Sequence, residues 1–468
     1  MSFWHIDDVI GNSAVIEQAE SQAWSYADLS RSSSDLKRQL SFQIKSLGFV
    51  FCRNTFGALV GYLAGLQSGH TITLLDASMH DRLREQLIKE YRPEWLWLPK
   101  DSSLPAHYRI QGDAFGYMLM LRNESSRPEA PEIHPDLALL LSTSGTTGSP
   151  KMVRLSYHNL QANTESIATY LEIASSERPI TTLPMQYSYG LSVINSHLLH
   201  HATLLMTEAN LVSKSFWDFF REHGATSLAG VPYVYQMLHR LNFERMCKSL
   251  PTLRTMTQAG GRLDEKLQHY FADIAYANQL RFFTMYGQTE ATARISYVPY
   301  DKIKEGIGSI GIPIPGGTLE IDKESGELVY SGPNVMMGYA SNRADLAKED
   351  ELKGRLLTGD IARKGENGFY YIVGRKKRFI KVLGLRINLD EVERLAEQTN
   401  GEACYCMGDD TNLVIVIRNE TSRQKIKTML TEVYHLHPSV FRIAVLEDIP
   451  RLTTGKVDYH ALYERVRE

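Results

Sequence analysis

The chain has 468 residues, of which 43% are hydrophobic and 22% are charged, and its formal net charge is −3. Such a composition is that of a globular protein with two or more domains, and the charge balance gives no reason to expect nucleic acid or an anionic membrane as the main partner. No apolar run approaches the roughly 18 residues of a membrane span, and no secretion signal or disulfide-rich pattern is present, so we expect a cytoplasmic protein that acts on a small molecule.

The first half of the chain alternates segments typical of strands and helices. Residues 47–52, 71–75 and 95–98 are mostly apolar and are predicted to be strands. The segments between them, 56–66 and 81–91, are predicted to be helices. Strand, helix and strand in short succession predict a parallel sheet with crossover helices.

The same alternation returns after residue 138, where a helix at 190–200 separates predicted strands at 178–183 and 202–206. Glycine and proline become frequent after residue 306. The short strands at 319–321 and 327–330 therefore predict a small β-barrel or sandwich module.

A compact α+β module is predicted at the C-terminal end of the chain. Helices are expected at 390–397 and 423–434, and strands at 413–417 and 442–446. We place a domain boundary near Lys377, which gives an N-terminal domain of residues 1–376 and a C-terminal domain of residues 377–468. The predicted fold class is α/β, with a large N-terminal domain of doubly wound subdomains plus the small β module, and a small α+β C-terminal domain.

The strongest local signal is a run of hydroxyls and glycines directly after an apolar strand, Ser142-Thr-Ser-Gly-Thr-Thr-Gly-Ser-Pro-Lys151. Glycines let backbone N–H groups crowd round a phosphate, hydroxyls add donors, and a lysine adds positive charge. The spacing is not that of the P-loop of NTPases. The candidate nucleotide-binding residues of this loop are Thr143, Ser144, Gly145, Thr146, Thr147, Gly148 and Lys151.

This run resembles the AMP-binding signature of the adenylate-forming superfamily, which includes acyl-CoA synthetases, adenylation domains of peptide synthetases and beetle luciferases. Two further motifs follow in the order of that family. The segment Gln258-Ala-Gly260-Gly261 resembles its adenine-side glycine turn. The segment Met285-Tyr286-Gly287-Gln288-Thr289-Glu290 resembles its aromatic-Gly-x-Thr-Glu motif. The resemblance implies that Tyr286 stacks on adenine, Thr289 bonds the α-phosphate and Glu290 holds Mg²⁺.

Three further matches lie towards the C-terminal end. Asp360, in Leu357-Thr-Gly-Asp360, corresponds to the family's ribose-binding aspartate, and Arg375 to an arginine that reaches the ribose or a phosphate. Lys377 corresponds to the hinge. Lys456, in Thr-Gly455-Lys456-Val-Asp, corresponds to the catalytic lysine.

The resemblance implies an ATP-dependent reaction with Mg²⁺. A carboxylate attacks the α-phosphate, pyrophosphate leaves, and Lys456 neutralises the developing charge in the acyl-adenylate. The small C-terminal domain would be a mobile lid that then brings the loop around Lys381 to a thiol tunnel, where coenzyme A or the phosphopantetheine arm of an acyl carrier protein accepts the acyl group. The basic run at 375–386 either meets the phosphates of that acceptor or is simply solvated.

The acid itself is not identified. Residues 184–191 resemble the gate before the family's acyl pocket, but they lack the aspartate with which amino-acid-activating relatives pair an α-ammonium. Candidate pocket walls, which ordinary core packing would also explain, are Tyr187, Tyr189, Gly190, Val231, Pro232 and Gly260. The alternatives to an acid–thiol ligase are a free-standing amino-acid adenylation enzyme that loads a carrier protein, a non-catalytic acyl-AMP-binding module, and a luciferase-like oxygenase.

Overall fold

A computed structural model describes residues 2–6, 13–19, 21–123, 132–142, 151–376, 378–382, 385–408, 412–434, 436–453 and 455–467. The chain divides into two compact units. The first comprises Met1–Thr318 and Ser331–Leu356, and the second comprises Leu319–Tyr330 and Leu357–Glu468. The predicted loop residues 143–150 and the predicted hinge Lys377 lie outside the described residues, so the domain boundary placed there stays a prediction.

In chain order, the strands are β1 (Ser13–Glu17), β2 (Gln22–Ser25), β3 (Leu47–Cys52), β4 (Thr71–Asp76), β5 (Trp95–Pro99), β6 (Tyr108–Ala114), β7 (Tyr117–Arg122), β8 (Leu137–Ser142), β9 (Met152–Ser156), β10 (Pro179–Ile180), β11 (Leu204–Met206), β12 (Ser227–Gly230), β13 (Thr255–Gln258), β14 (Arg281–Tyr286), β15 (Ser296–Val298), β16 (Ile312–Pro313), β17 (Thr318–Ile321), β18 (Glu327–Ser331), β19 (Gly338–Ala340), β20 (Arg355–Lys364), β21 (Tyr370–Arg375), β22 (Phe379–Val382), β23 (Leu385–Asn388), β24 (Tyr405–Gly408), β25 (Leu413–Ile417) and β26 (Phe441–Val445).

The α-helices are α1 (Tyr26–Gln39), α2 (Phe56–Gln67), α3 (Asp81–Tyr91), α4 (Tyr157–Tyr170), α5 (Ser188–Leu199), α6 (Lys214–Glu222), α7 (Pro232–Arg240), α8 (Phe243–Cys247), α9 (Glu265–Ala277), α10 (Leu389–Asn400), α11 (Arg423–Tyr434) and α12 (Tyr459–Arg467). None of the helices in the described part of the chain has the length and apolar character needed to cross a bilayer.

The first unit contains two large mixed sheets. One has the strand order β16-β15-β14-β13-β12-β10-β11-β1-β2, and its strands from β14 to β1 pair in parallel. The other has the order β19-β9-β8-β4-β3-β5-β7-β6, with β8, β4, β3 and β5 parallel and the edge strands antiparallel. Parallel strands need crossover connections, which explains the alternation of strands and helices read from the sequence. The predicted α/β fold is therefore confirmed.

Buried apolar side chains explain why this unit is stable. Helix α2 is buried along nearly its whole length, and its glycines allow close contact with aromatic rings, because a Cβ at Gly61 would lie 2.2 Å from a Trp97 ring atom.

The strand predicted at 178–183 is shorter than expected, since only Pro179–Ile180 forms a strand. The Leu183 carbonyl accepts a hydrogen bond from the Asn54 side chain at 3.1 Å instead of from a neighbouring strand.

The second unit consists of a β module and an α+β module. Strands β17, β18, β20 and β21 form a four-stranded sheet, in the region where the Gly- and Pro-rich sequence predicts a β module. In the α+β module, β24, β25 and β26 form a sheet whose buried residues include Cys406 and Ile415, packed with Val392 and Ile426 of the helices α10 and α11. The predicted strand 413–417 and helix 423–434 are both observed with those bounds.

Candidate active site

The predicted phosphate loop connects two strands of the first unit that run in opposite directions. Ser142, the last residue of β8, pairs with Met152, the first residue of β9, so the chain reverses direction between them. Of the loop's candidate residues only Lys151 is described. Its Nζ lies 3.8 Å from the centroid of the Tyr339 ring, a cation–π distance.

The Tyr-Gly-Gln-Thr-Glu motif follows strand β14 and turns sharply. Gln288 donates a hydrogen bond to the Tyr286 hydroxyl at 3.0 Å, and residues Thr289–Ala291 form a single 3₁₀ turn. Gly287 has no room for a side chain, because a Cβ there would lie 1.8 Å from the Ala293 carbonyl oxygen. The sequence motif is thus a compact turn that presents the polar side chains of Thr289 and Glu290 directly after a buried strand.

Glu290 and Thr289 have defined partners within the first unit. The Tyr339 hydroxyl donates to Glu290 Oε1 at 2.9 Å, and the same ring lies beneath Lys151, so these three residues are brought together. Burial and the neighbouring Glu290 carboxylate raise the pKa of Tyr339. Thr289 Oγ1 lies 3.2 Å from Ser188 Oγ, at the first turn of helix α5.

A strained residue follows this motif. Thr292 has φ +64°, which is uncommon for a β-branched side chain. Its hydroxyl donates to the Asn334 carbonyl at 2.7 Å, and the Asn334 amide donates to the carbonyls of Ala291 and Arg294. These bonds fix the backbone that follows Glu290, and strain held in this way is typical of functional sites.

The glycine pair at 260–261 contacts the predicted pocket walls. Gly260 has φ +80°, and a Cβ at that position would lie 2.6 Å from the Tyr187 hydroxyl and 3.0 Å from Val231 Cγ1. The corresponding atom at Gly261 would lie 3.1 Å from Pro232 Cγ. The structure therefore brings four of the predicted wall residues and the glycine turn into one place, while their role as an acyl pocket stays a prediction.

The remaining two predicted wall residues lie at the start of α5. The Tyr189 side chain is buried, and its hydroxyl lies 2.9 Å from both the carbonyl oxygen and the Oγ1 of Thr257. Gly190 marks a close approach of the backbone, since a Cβ there would lie 2.2 Å from the Pro184 carbonyl oxygen.

An arginine that the sequence motifs do not indicate lies beside these residues. Arg294 is only 3% exposed, and its guanidinium lies 3.9 Å from the centroid of the Tyr189 ring. Burial raises the pKa of Tyr187 to about 12, and the positive charge of Arg294 opposes that rise. The one sequence signal for Arg294 is its position four residues after Glu290 in an otherwise uncharged stretch, 291–298.

The second unit holds the predicted ribose-binding pair. Asp360 and Arg375 are register partners on β20 and β21, and Arg375 Nε lies 3.2 Å from Asp360 Oδ1. Lys376 Nζ lies 2.8 Å from Glu327. Arg378 forms ion pairs with Asp390 and Glu393. The described members of the basic run thus pair with carboxylates instead of forming a uniformly solvated face.

Lys456 lies on a tight turn of the second unit. Arg451 and Val457 form a β-bridge, Leu452 N donates to the Lys456 carbonyl at 2.8 Å, and Gly455 has φ +78°. Lys381 lies on the hairpin of β22 and β23, where its register partner is Arg386. The catalytic roles of Lys456 and Lys381 stay predictions.

Glu290 is the carboxylate that the Tyr-Gly-Gln-Thr-Glu motif of the first unit offers to a magnesium ion. No group of three or more His, Cys, Asp or Glu side chains suited to a metal ion is found among the residues that the structure describes. Mg²⁺ commonly uses one or two carboxylates together with substrate phosphates, so a site shared between Glu290 and a nucleotide fits these residues.

Comparison with known proteins identifies the family. The family described as "AMP-binding enzyme" matches residues 7–340. A feruloyl-CoA synthase of Amycolatopsis is 29% identical over 291 residues, which cover 60% of this chain and 58% of that protein. An L-proline–[L-prolyl-carrier protein] ligase of Pseudomonas fluorescens is 28% identical over 379 residues, covering 75% and 73%.

A solved structure shares the fold along the whole chain. The o-succinylbenzoate CoA synthetase of Bacillus subtilis, in complex with its acyl-adenylate intermediate, has a TM-score of 0.74 at 19% identity and covers 98% of this chain and 97% of its own. In contrast, the chain spans little more than half the length of the feruloyl-CoA synthase. With more than half of its residues matching the family, the chain belongs to the AMP-binding enzymes of the adenylate-forming superfamily.

Proposed function

We propose that the protein is an ATP-dependent carboxylic acid ligase. It forms an acyl-adenylate with release of pyrophosphate and then transfers the acyl group to a thiol of coenzyme A or of a phosphopantetheinyl carrier protein. The observation that supports this most strongly is the grouping of Lys151, Tyr339 and Glu290 beside Thr289 and Ser188 in the first unit. These side chains supply a cation, a carboxylate and hydroxyls of the kinds that a polyphosphate requires.

Each group has a proposed task in the first half-reaction. The Thr289 hydroxyl donates to an α-phosphate oxygen, and Lys151 neutralises phosphate charge. Glu290, oriented by the Tyr339 hydroxyl, would hold Mg²⁺, which neutralises phosphate charge when bound. Lys456 offsets the negative charge that develops where the carboxylate oxygen bonds to phosphorus. Asp360 accepts the ribose hydroxyls.

The relatives include proteins named for each of the two acceptors, so both acceptors stay part of the proposal. The feruloyl-CoA synthase is named for coenzyme A, and the prolyl ligase for a carrier protein.

An α-amino acid substrate is disfavoured, because residues 184–191 contain no carboxylate and the cation of Arg294 lies beside Tyr189. A buried ammonium beside a buried guanidinium would be repelled.

Acid-dependent exchange of labelled pyrophosphate into ATP tests the first half-reaction. The wild-type protein should catalyse exchange only when a suitable carboxylic acid is present. Lys456→Ala should lower the rate by about two decades, the typical effect of removing a group that stabilises transition-state charge. Lys427→Ala, which removes an exposed lysine of α11 in the same unit, is the matched control.

Two results would contradict the proposal. Nucleotide binding without exchange for any carboxylic acid tested would favour the non-catalytic acyl-AMP-binding module. An unchanged exchange rate in Lys456→Ala would refute the role assigned to that lysine. The acceptor is then identified by mass spectrometry of acyl-CoA and of an acylated carrier protein offered in parallel.

A further inference from the structure

A cavity in the first unit is lined by both apolar and polar side chains. It lies between α4, α5 and the sheet, and its apolar wall includes Ile167, Leu171 and Leu228. Its polar wall includes Ser192 and His197 of α5. Of the described residues predicted to bind nucleotide, Met285 alone lines it. The cavity is small, so its described part has room for the polar end group of a substrate and not for a whole carbon skeleton.

Arg294 also lines this cavity, although its side chain is almost fully buried. Within the described residues no Asp or Glu oxygen lies within 4 Å of its guanidinium, and its buried Nε has no hydrogen-bond partner. Its neighbours are phenols instead, with the guanidinium stacked on Tyr189 and interacting with Tyr170 and Tyr187. A guanidinium keeps its charge in proteins, and a buried charge without a counter-ion is costly.

Glu177, the carboxylate among the described lining residues, does not neutralise Arg294. Glu177 lies 3.5 Å from Arg281 and 3.6 Å from Arg254, and it accepts a hydrogen bond from the Thr226 hydroxyl. Arg281 also pairs with Glu172 at 3.0 Å, so Glu177 and Glu172 balance Arg281 and Arg254. Among the described residues that line the cavity, Arg294 is therefore the excess positive charge.

The cavity lies close to the proposed site of adenylation. Tyr189, which stacks on Arg294, directly follows Ser188, whose hydroxyl lies 3.2 Å from Thr289. Ser192, one helical turn after Ser188, lines the cavity. An acid whose reacting carboxylate meets Thr289 could therefore extend along α5 towards Arg294.

We propose that the substrate is a dicarboxylic acid, and that Arg294 binds the carboxylate that does not react. This inference rests on the proposed function, because it concerns the acid that is adenylated. A guanidinium binds a carboxylate with two parallel N–H···O bonds, and the neighbouring phenols of Tyr187 and Tyr189 position it. Arg294 thus selects the substrate and excludes acids that carry an ammonium group at that end.

Matched acids test this selection. Linear dicarboxylic acids of three to eight carbons and the three benzenedicarboxylic acids are compared with their monomethyl esters, by pyrophosphate exchange and by the thermal shift that each acid causes. For the preferred skeleton, kcat/KM for the diacid should exceed that for its monoester by about tenfold to a hundredfold, the range expected for a charge-assisted bond. Arg294→Met should reduce this ratio to about one, whereas Arg240→Met, which removes an exposed arginine at the end of α7 in the same unit, should keep it.

Each outcome decides between the two proposals. Exchange with monoacids and no preference for diacids in the wild-type protein would overturn this inference and leave the ligase intact. An equal loss for diacids and monoesters in Arg294→Met would also overturn it, because Arg294 would then hold the reacting carboxylate. A diacid that stabilises the wild type but not Arg294→Met, without any exchange, would support the binding site and refute the ligase. The absence of both exchange and stabilisation by every diacid would reject the site.

Discussion

Gly260→Ala is the substitution whose effect the structure defines most closely. Two separate penalties are expected. The first is conformational, because Gly260 has φ +80° and an L-residue in the left-handed region loses about 1–2 kcal/mol. The second is steric, because the new Cβ would lie 2.6 Å from the Tyr187 hydroxyl and 3.0 Å from Val231 Cγ1.

The steric penalty falls on a predicted pocket wall. A contact of 2.6 Å must lengthen by about 0.8 Å to reach the 3.4 Å of ordinary van der Waals contact, so the Tyr187 side chain has to move. We expect Gly260→Ala to lower the free energy of unfolding by about 2 kcal/mol relative to the wild type. We also expect kcat/KM in acid-dependent exchange to fall about tenfold, since displacements of this size strongly affect substrate positioning.

A double-mutant cycle separates the two penalties. Tyr187→Phe removes the hydroxyl that collides with the new Cβ, so the double variant should recover the steric part of the loss and retain the conformational part. Gly261→Ala is the matched control, because its Cβ would meet only the Pro232 ring at 3.1 Å and its φ is not left-handed. Urea denaturation and exchange kinetics measure both parts. Equal losses of unfolding free energy in Gly260→Ala and Gly261→Ala, or strictly additive effects with Tyr187→Phe, would refute the reasoning.

Three further predictions concern single side chains. Burial lowers the pKa of His197 from its ordinary 6.5 to about 4, so between these values the unfolded chain binds more protons and the protein loses up to about 3 kcal/mol as the pH falls. His197→Asn should abolish that part of the pH dependence in urea titrations, and an unchanged profile would contradict it. Arg378→Met should lower the unfolding free energy by about 2–3 kcal/mol, because the mostly buried Glu393 then keeps only its hydrogen bonds from Tyr459 and Cys406 and loses its counter-ion. A variant as stable as the wild type in denaturant titration would show that the ion pair is dispensable. Tyr339→Phe removes the hydrogen bond to Glu290, so exchange should slow about fivefold at limiting Mg²⁺ with little change in thermal stability, and an unchanged rate would argue against that orienting role.

The elements predicted best are those whose apolar pattern is uninterrupted. Strand Leu413–Ile417 is a run of five buried apolar residues between polar segments, and helix α3 is bounded by its pattern and by the Arg92-Pro93 pair. The β6–β7 hairpin is not among the predicted elements. Its two-residue turn is Phe115-Gly116, both with positive φ, and phenylalanine is not a residue whose presence indicates such a turn.

The candidate site is predictable from the sequence only where local motifs carry it. The Thr289 and Glu290 motif and the glycine turn each follow a strand, as their sequences indicate, whereas the Asp360 segment lies within strand β20. Tyr339 and Arg294 could not be predicted in the same way. Tyr339 meets Glu290 from 49 residues further along the chain, and an arginine is normally exposed, so its burial against Tyr189 depends on tertiary packing.

The central claim is that a carboxylate oxygen becomes bonded to the α-phosphorus of ATP. An acid labelled with ¹⁸O in its carboxylate tests this claim directly, because attack forms the O–P bond, and thiol attack on the acyl carbon then breaks the C–O bond and leaves that oxygen on AMP. Mass spectrometry of the products should show one labelled oxygen in each AMP and none in the pyrophosphate. Unlabelled AMP, or label in inorganic phosphate formed together with ADP, would contradict the account.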